Sequence, residues 1–425
     1  MSSTVESRPK FSIHTLGCRA NQADSEQLAQ ILLSAGFVEV PFGEPADCQI
    51  VNTCTVTREA DRKSAQMVRR ASGLGPQVVV TGCGAAQRGG AWQRVPATAL
   101  RLPPEEREDL LKRIGAEHCP SAARLESQLT LPRRRTRALL RIQDGCDQFC
   151  TFCIVPYVRG RARSLPSEQV LERVLELQQQ GTREVVLSGI HLSSWGSELG
   201  CTLVDLLQLL LGKTRTVRYR LSSVEPDQFP EGVIDLMVRQ PERLCPHLHL
   251  VLQHASDRLL EAMHRGYTLE HYDRLVRRFL EEVPGASLSS DIMVGFPGET
   301  EEDHRLLLRY LRSRRFSRLH IFPYSSRPGT AAARFAAAVD ADLQRHRRDQ
   351  LLRLAQRKQV VFQRESLGQE RVALIEGAAE RSGWMKATTD NFLPLWVKVP
   401  PSRQGELLRV RLQRRLGEVL LAHPV

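Results

Sequence analysis

Three cysteines within eight residues form the part of this sequence best suited to chemistry. Cys146, Cys150 and Cys153 are spaced CxxxCxxC and follow a short apolar run at residues 138–142. Three thiolates at this spacing can bind three irons of a 4Fe–4S cluster, because soft sulfur ligands suit iron–sulfur chemistry. The fourth iron keeps an open position that S-adenosylmethionine (SAM) can chelate, and electron transfer can then cleave its sulfonium. The alternative is a structural zinc site, but zinc needs a fourth ligand and the sequence offers none nearby.

A second set of three cysteines, Cys18, Cys54 and Cys83, is dispersed over the N-terminal part of the chain. Each follows a short apolar run, at residues 11–16, 48–53 and 77–81, and helical patterns cover about 23–35 and 58–70. This alternation predicts βαβ units of a parallel sheet, in which ligands bind at the carboxyl ends of the strands. We therefore expect the three thiols to converge as a second ligand set; the alternative is that they are ordinary small buried residues. The remaining cysteines lack this placement and are predicted to be ordinary core or surface thiols: Cys48, Cys119, Cys201 and Cys245.

The middle of the chain, from about residue 137 to residue 340, contains six predicted strands that alternate with helical patterns. The strands are predicted at residues 138–142, 184–187, 217–221, 247–252, 287–294 and 318–322. Six parallel strands with crossover helices predict a partial (βα)6 barrel that is open on one side. Barrels of this kind carry their chemistry at the carboxyl ends of the strands.

Small and polar residues follow several of these strands. Gly189 would let the backbone approach the methionine part of SAM, and Glu225 offers a carboxylate to its ribose or amino group. Gln253 and Asp291 follow or end the next two strands. We predict these four residues as SAM contacts, although Glu225 and Asp291 could instead be helix caps or salt-bridge partners at the barrel rim. His191 is interpreted as an ordinary hydrogen-bonding histidine, so no catalytic residue is assigned beyond the cluster ligands.

Composition limits the choice of partner and compartment. The chain has 425 residues, ten cysteines and a formal net charge of +12. An excess of arginine favours a polyanionic partner, although arginine-rich proteins are also common in GC-rich genomes. No apolar stretch is long enough to span a membrane, and the first residues lack the apolar segment of a signal peptide. We expect a cytoplasmic protein with reduced thiols and no membrane association.

The last part of the chain changes from a helical period to a period of two. A long polar helix is predicted at about 341–367, and short strands follow at 371–375, 395–399 and 408–412. Short alternating strands with turns between them predict a small β-barrel. Arg409 and Arg411 share one face, and Trp384, Phe392 and Trp396 could stack on RNA bases or belong to the core. The basic linker at 132–137 is either a solvated connector or a phosphate contact.

Taken together, these residues closely resemble the methylthiotransferase family of radical-SAM enzymes over nearly the whole chain. The resemblance implies an α/β protein with three domains: an N-terminal parallel-sheet methylthiotransferase domain at 9–120, a partial-barrel radical-SAM core at 132–368 and a small β-barrel RNA-binding domain, called TRAM, at 369–425. The segments at 14–18, 51–57, 189–192 and 320–325 look like those of the branch that modifies N6-threonylcarbamoyladenosine in tRNA.

The resemblance also implies cofactors and partners. Two 4Fe–4S clusters would be held by the two cysteine sets. One SAM would methylate a sulfur at the cluster of Cys18, Cys54 and Cys83. A second SAM would be cleaved at the other cluster to a radical that takes hydrogen from C2 of the adenine. The implied partners are the anticodon arm of tRNA, an electron donor such as flavodoxin or ferredoxin, and a sulfur donor.

Three alternatives remain open from the sequence. The substrate could be isopentenyladenosine in tRNA or an aspartate of ribosomal protein S12, which other branches of the family modify. A non-catalytic iron–sulfur protein that binds RNA is a third reading. The chain also departs from its relatives at His254-Ala255, where a serine–glycine pair is usual, and at Gly84, where a tyrosine is usual. Neither departure removes a predicted cluster ligand.

Overall fold

The computed structural model describes residues 8–116 and 136–425, which form two compact units. The first unit contains residues 8–116 together with the segments 153–161 and 325–330. The second contains 136–152, 162–324 and 331–425. Cys119 and most of the basic linker lie outside the described residues. No helix in the described part of the chain is long and apolar enough to cross a membrane.

The first unit is built on a five-stranded parallel sheet. Its strands are β1 (Lys10–Thr15), β2 (Val38–Glu39), β3 (Cys48–Thr53), β4 (Gln77–Gly82) and β5 (Leu100–Arg101). Its helices are α1 (Arg19–Ser34), α2 (Arg58–Ala71), α3 (Leu110–Arg113) and α4 (Val155–Arg159). The spatial order is β2-β1-β3-β4-β5, as expected for βαβ units. The central strand β3 is buried along its whole length, which is typical of a parallel sheet.

Helix α1 begins four residues earlier than the apolar pattern predicts. Its first turns bury the polar residues Asn21, Asp24 and Ser25, and the only apolar residues that they bury are the small Ala20 and Ala23. A pattern based on apolar spacing therefore misses this part of the helix. Cys18 occupies the N-cap position with extended backbone, so the helix starts directly after the first cysteine.

The second unit contains the predicted barrel, the long helix and the C-terminal strands. Its strands are β6 (Ala138–Arg141), β7 (Gln143–Asp144), β8 (Arg163–Ser164), β9 (Glu184–Ser188), β10 (Arg218–Leu221), β11 (Ser223–Val224), β12 (His247–Leu250), β13 (Ser287–Val294), β14 (Arg318–Pro323), β15 (Glu370–Ala378), β16 (Met385–Thr389), β17 (Pro394–Val397), β18 (Leu407–Leu416) and β19 (Val419–Pro424). Its helices are α5 (Ser167–Gln179), α6 (Leu203–Lys213), α7 (Gly232–Arg239), α8 (Asp257–Ala262), α9 (Leu269–Glu282), α10 (Glu301–Ser313) and α11 (Ala341–Glu365).

The six predicted barrel strands are all present and parallel. They pair in chain order, but the third is interrupted at Ser222, between β10 and β11. Hydrogen bonding therefore divides the sheet into a three-stranded part, β10-β9-β6, and a four-stranded part, β11-β12-β13-β14. The first strand, β6, and the last, β14, lie at the two ends of the strand order, and in the described part of the chain they do not pair with each other. The predicted partial barrel, open on one side, is therefore confirmed.

The C-terminal strands form a closed five-stranded barrel in the order β15-β16-β17-β19-β18. Two of its strands, β16 and β19, were not predicted. Val410 and Leu412 are buried inside, whereas Arg409 and Arg411 are exposed, as the alternation predicts. The ring of Phe392 lies 4.7 Å from that of His247 and 5.0 Å from the guanidinium of Arg220, which favours a packing role for this residue.

A buried ion cluster attaches the closed barrel to the parallel sheet of the same unit. Glu184 accepts hydrogen bonds from Arg218 at 2.7 Å and from Arg220 at 2.8 Å. Further N–H groups of the same arginines donate to barrel carbonyls, including those of Val372 and Asp390. Burial disfavours the Glu184 carboxylate, but the two guanidinium groups outweigh this and hold its pKa well below the ordinary value.

Candidate cluster and SAM site

The fold brings Cys18, Cys54 and Cys83 to one edge of the first sheet. Cys18 follows β1 by three residues, and Cys54 and Cys83 directly follow β3 and β4. Gly17 has a φ of +100°, and a Cβ at this position would lie 2.9 Å from Cβ and 3.2 Å from Sγ of Cys54. Glycine is therefore required here both by the left-handed backbone and by the space beside the Cys54 sulfur.

The thiols are near enough for their neighbours to affect the ionisation of Cys54 and Cys83. Burial raises the pKa of Cys54 to about 12, and the neighbouring Cys83 and Cys18 add to this increase. The pKa of Cys83 is also raised by burial, with a further contribution from Cys18 and an opposing one from Arg159. Burial and mutual repulsion disfavour thiolates that lie close together, and a bound metal stabilises these charged forms.

The donor set of Cys18, Cys54 and Cys83 bears on the choice between a single zinc ion and a cluster. A zinc ion with bonds of about 2.3 Å brings its sulfur ligands within about 4 Å of one another. Among the described residues, the sulfurs of Cys18, Cys54 and Cys83 do not all lie within 4.8 Å of one another. A structural zinc ion also needs a fourth protein ligand, whereas three thiolates leave one iron of a 4Fe–4S cubane open, so the number of donors favours a cluster.

Two buried asparagines join the loops that carry the first cysteine set. Asn21 donates from Nδ2 to the carbonyls of Leu16 and Thr53, at 2.8 and 2.9 Å. Asn52 donates from Nδ2 to the carbonyl of Asn21 at 2.7 Å and to Ser25 Oγ at 2.9 Å. These bonds tie the ends of β1 and β3 to helix α1. Sequence analysis missed both residues, because an asparagine gives no sign of whether it is buried.

A further network holds the loop after Cys54. Asp61 accepts hydrogen bonds from Thr55 Oγ1 at 2.5 Å and Trp92 Nε1 at 2.9 Å. Arg327, from the segment 325–330 of the same unit, donates to Asp61 at 2.5 Å and to Thr55 at 2.9 Å. The loop is thus fixed by one partly buried carboxylate and one buried guanidinium.

The CxxxCxxC loop begins directly after β7. Burial raises the pKa of Cys146 to about 11, and the nearby Cys150 contributes to this increase. The backbone N–H of Gln148 lies 3.5 Å from Cys146 Sγ. Thr151 anchors the loop by donating from its backbone N–H to the carbonyl of Met263 at 3.1 Å and from Oγ1 to that of Ala262 at 2.8 Å. Cys153 begins the segment 153–161, which packs within the first unit.

Gln253 is the most unusual of the predicted SAM contacts. Its φ is +63°, a left-handed conformation that is rare for a residue other than glycine. The backbone is held there because its N–H donates to the carbonyl of Asp291 and its carbonyl accepts from Met293, each at 2.9 Å. Within the described part of the chain, its buried Oε1 accepts no hydrogen bond. A strained backbone held in place beside a buried polar atom that lacks a hydrogen bond is typical of a ligand site.

Asp291 lies in a polar group on the inner face of the partial barrel. Its Oδ1 is 3.0 Å from His249 Nε2, and the His249 ring stacks on His320 with centroids 5.4 Å apart. The alternate residues Leu250 and Ile292 belong to the hydrophobic core on the other face. Side chains alternate between the two faces of a strand, so the His–Asp–His group faces away from the helices.

The other two predicted SAM contacts have protein partners of their own. Glu225 forms an ion pair with the buried Arg265, and its backbone N–H and carbonyl both bond to Ser193 Oγ at 2.8 Å. A Cβ on Gly189 would lie 3.0 Å from Cβ and Oε1 of Gln143. Close packing against Gln143 is therefore sufficient reason for glycine at this position.

A polar cavity of about 370 Å³ lies beside the CxxxCxxC loop. Its lining includes Asp147, Gln148, His191, Glu198 and Asp227. Gln148 Nε2 donates to Asp227 at 2.7 Å. Burial alone would raise the pKa of Asp227, but the nearby His191 ring, whose Nε2 lies 3.9 Å from Asp227 Oδ1, and the hydrogen bond from Gln148 outweigh it and lower the pKa. The cavity is thus lined by Asp227, whose ionised form is favoured. His191 and Asp227 each lie two residues after a predicted SAM contact, Gly189 and Glu225.

Comparisons with known proteins agree with this arrangement. Residues 140–311 match the Radical SAM superfamily, and residues 10–99 match the uncharacterized protein family UPF0004. The chain is 34% identical to the threonylcarbamoyladenosine tRNA methylthiotransferase MtaB of Bacillus subtilis, over 94% of this chain and 92% of that protein. It is 35% identical to the tRNA-2-methylthio-N(6)-dimethylallyladenosine synthase of Moorella thermoacetica, over 96% and 97%.

Among solved structures, the chain is similar in fold to the radical SAM methyltransferase TsrM of Kitasatospora setae. The TM-score is 0.53 at 15% sequence identity, covering 75% of each chain. The fold similarity shows the architecture, and the curated relatives show the family, whose members use SAM and 4Fe–4S clusters. The chain belongs to the radical-SAM tRNA methylthiotransferases, enzymes that transfer a methylthio group to a base of tRNA.

Proposed function

We propose that the enzyme methylthiolates C2 of N6-threonylcarbamoyladenosine next to the anticodon of tRNA. The observation that carries methylthio transfer is the convergence of Cys18, Cys54 and Cys83 at one edge of the first sheet, in addition to the three cysteines of the CxxxCxxC loop. A radical-SAM reaction that needed only SAM cleavage would not need a second set of three thiols.

The inner face of the barrel supports the choice of base. The threonylcarbamoyl group carries a carboxylate, a hydroxyl and a urea, whereas an isopentenyl group is a hydrocarbon. His249 and His320 offer ring nitrogens on this face, and apolar side chains would suit a hydrocarbon better. The curated relatives from Bacillus subtilis and Aquifex aeolicus bear the threonylcarbamoyl name, and the Moorella thermoacetica relative bears the dimethylallyl name.

We assign one cluster to Cys146, Cys150 and Cys153 and a second to Cys18, Cys54 and Cys83. When bound, the clusters and SAM supply an electron, an open iron site and a methylthio group. The protein holds the thiols, keeps their loops rigid through Asn21, Asn52 and Thr151, and orients SAM. Gly189, Glu225, Gln253 and Asp291 stay our predicted SAM contacts, with the Gln253 Oε1 as the best-supported one.

The closed barrel at 369–425 is proposed to hold the anticodon arm. Arg409 and Arg411 are exposed on β18 and suit phosphate contacts, which carry little sequence information. The boundaries at 9–120, 132–368 and 369–425, a flavodoxin- or ferredoxin-type electron donor and a separate sulfur donor are part of this proposal. A tRNA substrate also fits the cytoplasmic location predicted from the sequence.

The test is mass spectrometry of tRNA nucleosides from a strain that lacks the gene, with and without a restoring copy. We expect 2-methylthio-N6-threonylcarbamoyladenosine to be absent from the deletion strain and to return with the intact gene. A copy carrying Cys54→Ala is the matched control and should not restore it. Loss of the methylthio isopentenyl nucleoside instead, or of a modified aspartate in ribosomal protein S12, would assign the enzyme to another branch. No lost modification would favour the non-catalytic alternative.

A further inference from the structure

Both cysteine sets share a contact that the sequence did not reveal. In the first unit, Arg159 donates from Nε to Cys83 Sγ at 3.1 Å. In the second unit, Arg265 donates from Nη1 to Cys150 Sγ at 3.2 Å. The two arginine side chains are 0% and 3% exposed. Each set of thiols thus has one buried guanidinium that points an N–H group at one sulfur.

The surroundings of Arg159 show that ion pairing alone does not explain why this arginine is buried beside Cys83. Its Nη2 donates to Asn21 Oδ1 at 2.6 Å and to Asp24 Oδ2 at 3.0 Å. Asp24 already has a second buried guanidinium, because Arg107 Nη1 donates to it at 2.6 Å. A buried charge is costly unless it is paired, and Arg107 meets that need for Asp24. The geometry therefore leaves Arg159 Nε directed to the sulfur.

Arg265 has a parallel arrangement. Its Nη2 pairs with Glu225, and its guanidinium lies 5.1 Å from the centre of the Tyr267 ring. The remaining Nη1 donates to Cys150. In both cases one N–H group of the guanidinium bonds to a carboxylate while a separate N–H group bonds to the thiol, so that the positive charge is fixed in place beside the sulfur.

Hydrogen bonds to cluster sulfurs and nearby positive charge favour the reduced form of a cluster, which carries one more negative charge. We propose that Arg159 and Arg265 are positioning residues that raise the reduction potentials of the two clusters, each acting on one. The inference rests on the proposed function, which places a cluster at each cysteine set. The step concerned is a one-electron reduction by an external one-electron donor, with no bond formed or broken.

The test is a redox titration of the anaerobically reconstituted enzyme, followed by electron paramagnetic resonance and with iron counted per chain. Arg159→Gln should shift one of the two midpoint potentials to more negative values, and Arg265→Gln should shift the other. Arg107→Gln is the matched control, because it removes a buried guanidinium from the same Asp24 without removing an N–H···S contact. It should shift neither potential.

Lysine variants keep the test decisive if a glutamine variant loses its cluster. Arg159→Lys and Arg265→Lys retain the charge but lose the planar fork, and they should shift the same potential in the same direction by less. Unchanged potentials in all loaded variants would overturn the inference, and so would an equal shift in Arg107→Gln. A single potential and about four irons per chain in the unaltered enzyme would instead contradict the proposed second cluster.

Discussion

Cys146, Cys150 and Cys153 lie within eight residues of one loop, whereas Cys18, Cys54 and Cys83 come from the ends of three strands. The loop is held by two hydrogen bonds from Thr151 to the end of helix α8 and the residue after it. The dispersed set depends on the register of a whole sheet and on Asn21 and Asn52 between its loops. The dispersed site is therefore sensitive to substitutions of residues that are not themselves cluster ligands, and the local site is less sensitive to them.

The largest expected difference between the two sets comes from removing a single thiol. Cys150→Ala should abolish reductive cleavage of SAM, because the cluster that binds SAM is lost. Cys54→Ala should leave cleavage largely intact while methylthiolation disappears. Release of 5′-deoxyadenosine by chromatography and methylthiolated nucleoside by mass spectrometry measure the two activities. Normal methylthiolation by Cys54→Ala would refute this division of labour.

A change that removes no thiol should also damage the dispersed set. Gly17→Ala places a Cβ 2.9 Å from Cβ of Cys54, in a backbone with a φ of +100°. We expect the iron content to fall from about eight toward about four per chain, while SAM cleavage persists. Gly89→Ala is the control, because Gly89 has a φ of −90° and no atom within 4 Å of an added Cβ. Equal iron contents in the two variants would show that Gly17 is not needed for the site.

The second unit is expected to lose stability when its buried ion cluster is broken. Glu184→Gln leaves Arg218 and Arg220 without their carboxylate, which should lower the free energy of unfolding by about 3–5 kcal/mol. Chemical denaturation measures this change, with Glu302→Gln, on the exposed face of α10, as the control. Because the folded pKa of Glu184 is depressed, this stabilisation is present at neutral pH and is lost only as the pH falls toward that low pKa. A loss in Glu302→Gln as large as that in Glu184→Gln would contradict this explanation.

The smallest expected effect concerns the closed barrel. Arg409 is exposed and forms no salt bridge among the described residues, whereas Arg411 already pairs with Glu370 at 2.5 Å. Arg409→Ala should weaken tRNA binding several-fold and reduce the slope of log affinity against log salt by about one. Arg411→Ala should have a smaller effect. Binding over a salt series measures both, and an unchanged slope in the double variant would show that these arginines are only a solvated face.

Much of the fold follows from the sequence, because parallel strands are buried on both faces and appear as short apolar runs. The six barrel strands and the positions of Cys54 and Cys83 directly after their strands were predicted on this basis. The start of helix α1 was not, because Asn21 and Asp24 are buried polar residues. The strands β16 and β19 were missed because neither alternates strictly between buried and exposed residues: each has three consecutive buried residues.

The sequence allows a prediction of the site where residue type and spacing alone indicate the chemistry, and the six cluster ligands stay a prediction. Six cysteines in two sets of three could be identified without a structure. Arg159 and Arg265 could not, because arginine in a basic sequence normally indicates exposed charge. Phe392 was predicted as a base-stacking candidate or a core residue, and its contacts with His247 and Arg220 favour the second reading.

The central claim is that two separate cysteine sets hold two clusters, and iron counting tests it most directly. The enzyme would be reconstituted anaerobically, freed of unbound iron and analysed beside Cys54→Ala and Cys150→Ala. We expect about eight irons per chain in the unaltered enzyme and about four in each variant, since each loses one 4Fe–4S cluster. About four irons in the unaltered enzyme, with no further loss in Cys54→Ala, would contradict the account.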